Sequence, residues 1–428
     1  MAVLAAIFLA ITLPLLGGDS TATLSYDGSR DERDYHWPTI VEFADELPRP
    51  DLRDYQSATT PLFHLSMAVA KASGAPFLLL RGLNLLISLG CVLAVFSFLT
   101  RYTTPERALG YALAFAVSLY VVNGAVRLMT DNMALLFIVL AMTALVEPEP
   151  PSTGRVVAAA IWMSLATLTR QTAIWLVPVA LWQTIRWSAV PVDRRLRHAA
   201  ILALPILVLV PFVLLWHGLA PPSSANLHQV HSGTLRSSLR VLILSLTVLG
   251  FYGTFFLPAF VQAFRARGGR LWHLALILAG CAVLLVAVQF NYAAVMSTAA
   301  EGHRIRPSGM LIKACKYVPD LLSTSLLVWV LAPIGAAIVY VVSRQGARAQ
   351  FLVWSALSWQ LATIMNVHLY QKYYEPFWLI FLGAAAAGLG RPRWMEWASV
   401  AALLLFVAAL YSVFFYFPSI LSMGPAAR

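Results

Sequence analysis

Charge is what this chain has least of. Asp, Glu, Lys and Arg make up 11% of its 428 residues, where an ordinary soluble domain carries about 25%. With 60% hydrophobic residues and a mean hydropathy of +0.75, a water-soluble globule is excluded. The period-two alternation of an outer-membrane barrel is missing too. Apolar runs of spanning length recur from end to end, so the pattern specifies an all-α, polytopic integral membrane protein. Cysteine is scarce: Cys91 and Cys281 fall in apolar runs and Cys315 in a polar loop. No CxxC or metal-ligand spacing occurs, which argues against cysteine chemistry. An internal repeat, a low-complexity tract, a soluble domain and a nucleotide site are all lacking.

Taken in order, the apolar runs predict about thirteen spans: 2–17, 77–99, 108–124, 130–146, 155–169, 171–187, 199–217, 239–263, 271–290, 321–343, 350–367, 376–390 and 398–417. Residues 2–16, AVLAAIFLAITLPLL, have the apolar core of a signal peptide but neither its charged n-region nor a clear cleavage site. They read as a short first span. The whole chain, 1–428, reads as one transmembrane domain, with 18–76 as its first extracytoplasmic loop and platform.

The net charge of +11 would suggest nucleic acid as a partner of a soluble protein. Here the short loops account for it. Arg101, Arg107, Arg155, Arg186, Arg194, Arg195, Arg197, Arg265, Arg267, Arg270, Arg344, Arg348, Arg391 and Arg393 all fall on one side, against the acids Glu106, Glu147, Glu149, Asp193 and Glu396. That side is cytoplasmic by the positive-inside rule, and the partner is the lipid bilayer. The polar segments 26–64, 218–238, 291–320 and 368–375 then face the other way.

The longest of these, Tyr26–His64, gathers Asp27, Asp31, Glu32, Asp34, Glu42, Asp45, Glu46, Asp51 and Asp54. A loop this long between two spans invites a functional reading. Pro38 suits a first helical position, with Ile40, Phe43, Ala44 and Leu47 on one face and Glu42, Asp45 and Glu46 on the other, as in an interfacial helix. Thr60–Pro61 reads as the N-cap and first residue of a second helix, closed by Gly74 and Pro76.

Several short motifs carry chemistry. DERDYH (Asp31–His36) puts carboxylates beside the membrane, either as a general base or as a solvated acidic turn. Asp31, Glu32 and Asp34 offer oxygens to a divalent cation, but no second ligand cluster has telling spacing, so no cofactor is expected. ATTPLFH (Ala58–His64) opens a helix whose N-terminus could receive an anion, a weak signal alone. RLMTDNM (Arg127–Met133) places Asp131 at the edge of an apolar run, where an ionisable group is a functional candidate by default unless Arg127 pairs with it. TLTRQTAIW (Thr167–Trp175) breaks the long apolar run 156–187 with Thr169–Arg170–Gln171, and the Arg170 guanidinium matches phosphate oxygens. A snorkelling structural arginine is the alternative. Later loops hold His228 and His231, the run His303/Arg304/Arg306, Lys313 and Lys316, and HLYQKYYEP, where Lys372 is a candidate phosphate contact. Tyr370, Tyr373 and Tyr374 suit an interfacial aromatic belt.

Together these pieces resemble the GT-C superfamily of membrane glycosyltransferases, which take sugars from polyprenyl-phosphate carriers. The acidic pair Asp31–Glu32 followed by an aromatic is similar to the superfamily's first-loop hallmark, and RLMTDN to its second acidic motif. The branch it resembles most is the α-1,2-glucosyltransferase that adds the terminal glucose to the lipid-linked N-glycan precursor. That branch's motifs are matched by Asp31-Glu32-Arg33-Asp34-Tyr35-His36, Ala58-Thr59-Thr60-Pro61, Arg170-Gln171-Thr172-Ala173-Ile174-Trp175 and Gln371-Lys372-Tyr373-Tyr374. The likeness spans about 20–190 and thins afterwards. Leu62 and Ala173 depart from it, and the late Asp-Asn-Arg-His segment has no clean match.

The resemblance implies an inverting hexosyltransferase that moves sugar from a polyprenyl monophosphate to a hydroxyl of a glycan, lipid-linked or protein acceptor. Asp31, Glu32, Asp34 and Asp131 are then the catalytic candidates, with Asp31 in the base position. Arg170, Gln171, His36, Thr60, His64, Arg127, Lys372 and Tyr373 are the substrate-binding candidates. The Ala- and Arg-rich usage reads as bacterial, which places the site on the periplasmic side of an inner membrane. The alternative is a transporter or flippase of a lipid-linked or anionic substrate, which would favour midplane acids and a repeat.

Overall fold

The computed structural model describes all residues except 18–30, 148–149, 188–189, 225–234, 294, 297–308, 365–368, 390–392 and 417–428. The expectations placed on Asp27, His228, His231, His303, Arg304, Arg306 and His368 lie outside the described residues.

Helix α1 (Ala2–Leu16) leads to a π-helical turn, Glu32–His36, which runs straight into α2 (Trp37–Glu46). Pro38 sits at the start of α2, whose Ile40 and Phe43 are buried while Glu42, Asp45 and Glu46 face outward. Helix α3 (Leu62–Ala72) follows, ended by Gly74, whose φ of 93° only glycine adopts cheaply. Thr60 does not cap it. Its hydroxyl donates instead to the Thr167 carbonyl at 2.6 Å, tying the platform to a distant helix end. Ile40 of α2 and Phe63 and Met67 of α3 share a small apolar core with Leu80, Leu128 and Met133, so the platform rests on the helix bundle.

The bundle continues with α4 (Phe77–Leu99), α5 (Pro105–Ala116), α6 (Leu119–Val126), α7 (Asp131–Leu145), α8 (Thr153–Thr169), α9 (Leu176–Arg186) and α10 (Val192–Trp216). Next come α11 (Leu235–Gly253), α12 (Leu257–Ala266), α13 (Leu271–Val288), the short α14 (Met310–Ala314) and a two-stranded antiparallel ribbon, β1 (Asp320–Leu321) with β2 (Thr324–Ser325). It closes with α15 (Leu326–Ser343), α16 (Ala347–Ile364), α17 (Glu375–Ala387) and α18 (Arg393–Tyr416). Helices α11 and α15 cross at backbone contact. A Cβ on Gly250 would lie 1.8 Å from the Leu331 carbonyl oxygen, and one on Gly335 2.2 Å from that of Leu246. Small residues at such a crossing let two apolar helices pack closely.

Among the described residues six helices are long and apolar enough to cross a membrane, or seven if the pair α5 and α6, bent by 67°, counts as one. The expected count of about thirteen spans is not reached. The run predicted as one span over 108–124 is that bent pair, and several other predicted spans are helices of 10–17 residues. Hydropathy registers apolar residues whether they face lipid or the interior, so a helix that stops inside the protein scores like one that crosses.

Helices α7, α8 and α17 are among these shorter apolar helices, of 15, 17 and 13 residues. At 1.5 Å per residue they are roughly 20–25 Å long, short of a hydrocarbon core of about 30 Å. Beyond the far end of α7, Glu147 pairs with Arg101 at 3.2 Å and Arg348 at 2.8 Å. Nearby loops add the Arg107–Glu396 pair at 3.0 Å. At the near end, Asp131 opens α7, Arg170 caps α8, and Lys372 lies just before α17.

Candidate active site

These three short helices deliver their terminal residues to one point. Arg170 Nη1 pairs with Asp131 Oδ1, and Lys372 Nζ pairs with Asp31 Oδ2. The Arg170 guanidinium lies over the Tyr373 ring at 5.2 Å, and the Lys372 ammonium lies 5.3 Å from the Tyr370 and Tyr373 rings. Tyr373 is thus the spacer between the two cations. Burial works against the Lys372 ammonium, yet Asp31, Tyr373 and Asp131 hold its pKa well above the ordinary lysine value. It stays charged at neutral pH.

A cavity of about 130 Å³ opens from this cluster. Its lining combines the charged Asp131, Arg170 and Lys372 and the ring of Tyr373 with the apolar Leu135, Ile138, Trp175, Trp359 and Phe377. Cations together with aliphatic and aromatic walls suit an amphiphile with an anionic head.

Asp31 and Glu32 are adjacent but do different work. Glu32 is 1% exposed; it takes Arg81 Nε at 2.9 Å, Arg81 Nη2 at 2.5 Å and the Leu128 N–H at 2.8 Å, with Arg127 Nη1 at 3.5 Å. Arg81 also donates to the Leu16 carbonyl at 3.1 Å. Glu32 therefore pins the start of the first loop to α1, α4 and the α6–α7 turn, and Arg127 belongs to that pin rather than to Asp131. Asp34 does not join the cluster: both its oxygens accept from neighbouring Arg33, at 2.7 and 3.3 Å, on an exposed face.

His36 comes close to it. Its Nδ1 lies 3.0 Å from His64 Nε2, and both rings are buried among Phe43, Tyr55 and Phe63. Burial pushes His36 down to about 4; Asp31 and Asp131 pull upward, and Arg170 and Lys372 press it further down. His64 is driven the same way, by burial and then by His36. The pair is neutral at pH 7. Gln171 is a strut: its Nε2 donates to the Ala58 carbonyl at 2.7 Å and to that of Leu219 at 2.8 Å. With Thr60 it fastens the platform over the Arg170 turn. Among the described residues no three His, Cys, Asp or Glu side chains are grouped to hold a metal ion.

By sequence, no family profile and no curated protein matches the chain. By structure it is similar to ArnT from Cupriavidus metallidurans bound to undecaprenyl phosphate, with a TM-score of 0.49 and 16% identity over 96% of this chain and 63% of that one. It is also similar to ArnT from Cupriavidus metallidurans in the apo state, with a TM-score of 0.43 and 14% identity over 90% of this chain and 77% of that one. The chain therefore spans less than two thirds of the length of the first of these, and the site is read from its own geometry.

Two supports of the site were not legible as motifs. Arg81 is the only charge in the run 77–99, and an isolated intramembrane charge was the signal to follow. Behind Lys372, the buried Glu375 accepts from Ser118 at 2.7 Å and from Gln371 Nε2 at 2.9 Å. Gln371 Oε1 in turn accepts the Leu311 N–H at 3.0 Å. Ser118 lies at the bend between α5 and α6, so that bend and the Lys372 turn are held together.

Proposed function

We propose that this chain is a GT-C-type glycosyltransferase. It moves a hexose from a polyprenyl monophosphate to an acceptor hydroxyl on the extracytoplasmic face of a bacterial inner membrane, with inversion at the anomeric carbon. The observation that carries this reading is the cavity lined both by Arg170 and Lys372, each paired with a carboxylate, and by apolar and aromatic side chains. The cations hold the phosphate, and the wall receives the first units of the lipid tail. The sugar–phosphate bond is already activated, so fixed cations that stabilise the departing phosphate supply much of the rate.

Asp31 takes the proton of the attacking hydroxyl. Asp131 holds Arg170 and orients the acceptor. Glu32 and Arg127 position the loop, and Asp34 has no role in the chemistry. The loop sequence and its likeness to the superfamily hallmark support this division.

The test is transfer of labelled sugar from a synthetic polyprenyl phosphate by the purified protein, with Asp31→Asn alongside. The expected result is transfer by the wild type and a roughly 10²–10⁴-fold loss in the variant, the usual cost of a missing general base. Among the described residues the bent α5–α6 pair is a feature that favours a transporter. Movement of an intact lipid-linked sugar between leaflets, without transfer, would establish that reading and end this one.

A further inference from the structure

The charges of the four-residue cluster beside the cavity sum to zero. Asp31 and Asp131 offset Lys372 and Arg170, and His36 is neutral at pH 7. A polyprenyl phosphate sugar is a phosphodiester anion, and among the described residues of this cluster each cation already has a carboxylate on it. To bind these cations its phosphate shares or displaces one. Both pairs can be reached: their side chains are 22% and 28% exposed for Arg170 and Asp131, and 11% and 24% for Lys372 and Asp31. The Arg81–Glu32 pair, at 4% and 1%, is sealed.

The two open pairs differ in how they can respond. Arg170 meets Asp131 through one nitrogen of a guanidinium with five N–H donors, so it can keep the carboxylate and take a phosphate oxygen as well. Lys372 is a compact charge with two tyrosine rings at 5.3 Å, and Asp31 is the carboxylate paired with it. A phosphate oxygen arriving there competes with Asp31 for the one ammonium.

We infer that the donor's phosphate displaces Asp31 from Lys372, so that the base is uncovered only once the donor is seated. This rests on the polyprenyl-phosphate reading above and adds an order to it: donor first, acceptor activation second. In the transfer that follows, the acceptor oxygen bonds to the anomeric carbon and its proton passes to Asp31. The electron pair of the breaking carbon–oxygen bond leaves with the phosphate. The protein cluster rises from zero to +1 as the phosphate gains one negative charge, so the two remain matched.

The experiment measures binding of undecaprenyl phosphate to the protein in nanodiscs for wild type, Asp31→Asn, Lys372→Gln and the double variant, each checked for melting temperature. Asp31→Asn is expected to bind roughly two- to fivefold more tightly than wild type, the worth of one partly exposed ion pair. That gain disappears in the Lys372→Gln background. In the wild type, carbodiimide labelling of Asp31 rises when undecaprenyl phosphate is added, which needs no variant to fold. Equal affinity for wild type and Asp31→Asn overturns the exchange and leaves the carrier reading intact. So does a gain that persists without Lys372, which would be simple relief of charge repulsion, and so does unchanged or lowered labelling. If wild type binds no undecaprenyl phosphate, the carrier reading falls and the exchange falls with it.

Discussion

Glu32→Gln separates holding the fold from doing the chemistry. Glutamine keeps the shape of the side chain and one carbonyl oxygen, which can still accept from Arg81 Nε or the Leu128 N–H. Its amide, however, turns two N–H donors toward a site that supplies only donors. Two arginines, 3% and 4% exposed, lose the charge of that carboxylate. Removing one partner of a buried ion pair costs about 3–5 kcal/mol, because the remaining charge stays desolvated. Glu32→Gln is therefore expected to lower the melting temperature sharply in detergent, with transfer falling in proportion to the folded fraction. Glu32→Met with Arg81→Met should recover part of the loss, since apolar residues of similar volume often replace a buried pair well. A Glu32→Gln protein that melts like wild type but has lost transfer would refute the reasoning, because Glu32 would then be acting on substrate.

Arg170→Lys should raise the donor KM far more than a conservative change elsewhere, since a point charge cannot hold Asp131 and a phosphate together. Near-normal donor affinity in Arg170→Ala would make Arg170 a structural residue. An imidazole held at about 4 in the folded protein, and near 6.5 in the unfolded chain, takes its proton first in the unfolded chain. Stability is thus full above about pH 6.5 and is lost as pH falls toward 4, by up to about 3 kcal/mol from His36. Melting scans that stay flat from about pH 7 to pH 4.5 would contradict the buried neutral pair. In a background free of Cys91, Cys281 and Cys315, a cysteine at exposed Asp51 should react with an impermeant reagent on intact spheroplasts, and one at exposed Leu196 only after lysis. The opposite pattern would reverse the topology.

Much of the site was legible because intramembrane charge is scarce. Asp131 and Arg170 stood out against apolar runs, Asp31 and Lys372 lay in polar segments flanking them, and the structure brings all four together. What could not be read was who partners whom. Asp131 has Arg127 four residues away in sequence, yet pairs with Arg170, because Arg127 is drawn to Glu32. Glu32 and Arg81 are 49 residues apart, and nothing local links them. The expected count of about thirteen spans is not confirmed: among the described residues six or seven helices are long enough to cross, and a 15-residue helix such as α7 has the composition of a crossing at a shorter length.

The π turn at Glu32–His36 makes spacing, rather than composition, the property this segment must keep. A residue of α-helix turns the chain by about 100°. Within six positions the segment sends Asp31 to Lys372, Glu32 to the sealed arginines and His36 to His64, and the wider π turn accommodates all three. Asp34 pairs with its neighbour Arg33 on the outer side of the turn. Were Asp34 deleted, the turn would tighten, and Asp31 and Glu32 would swing together relative to α2, pulling the base off its lysine and the anchor out of its socket in one stroke. In this stretch a frame error of one residue is worse than a substitution at the same place.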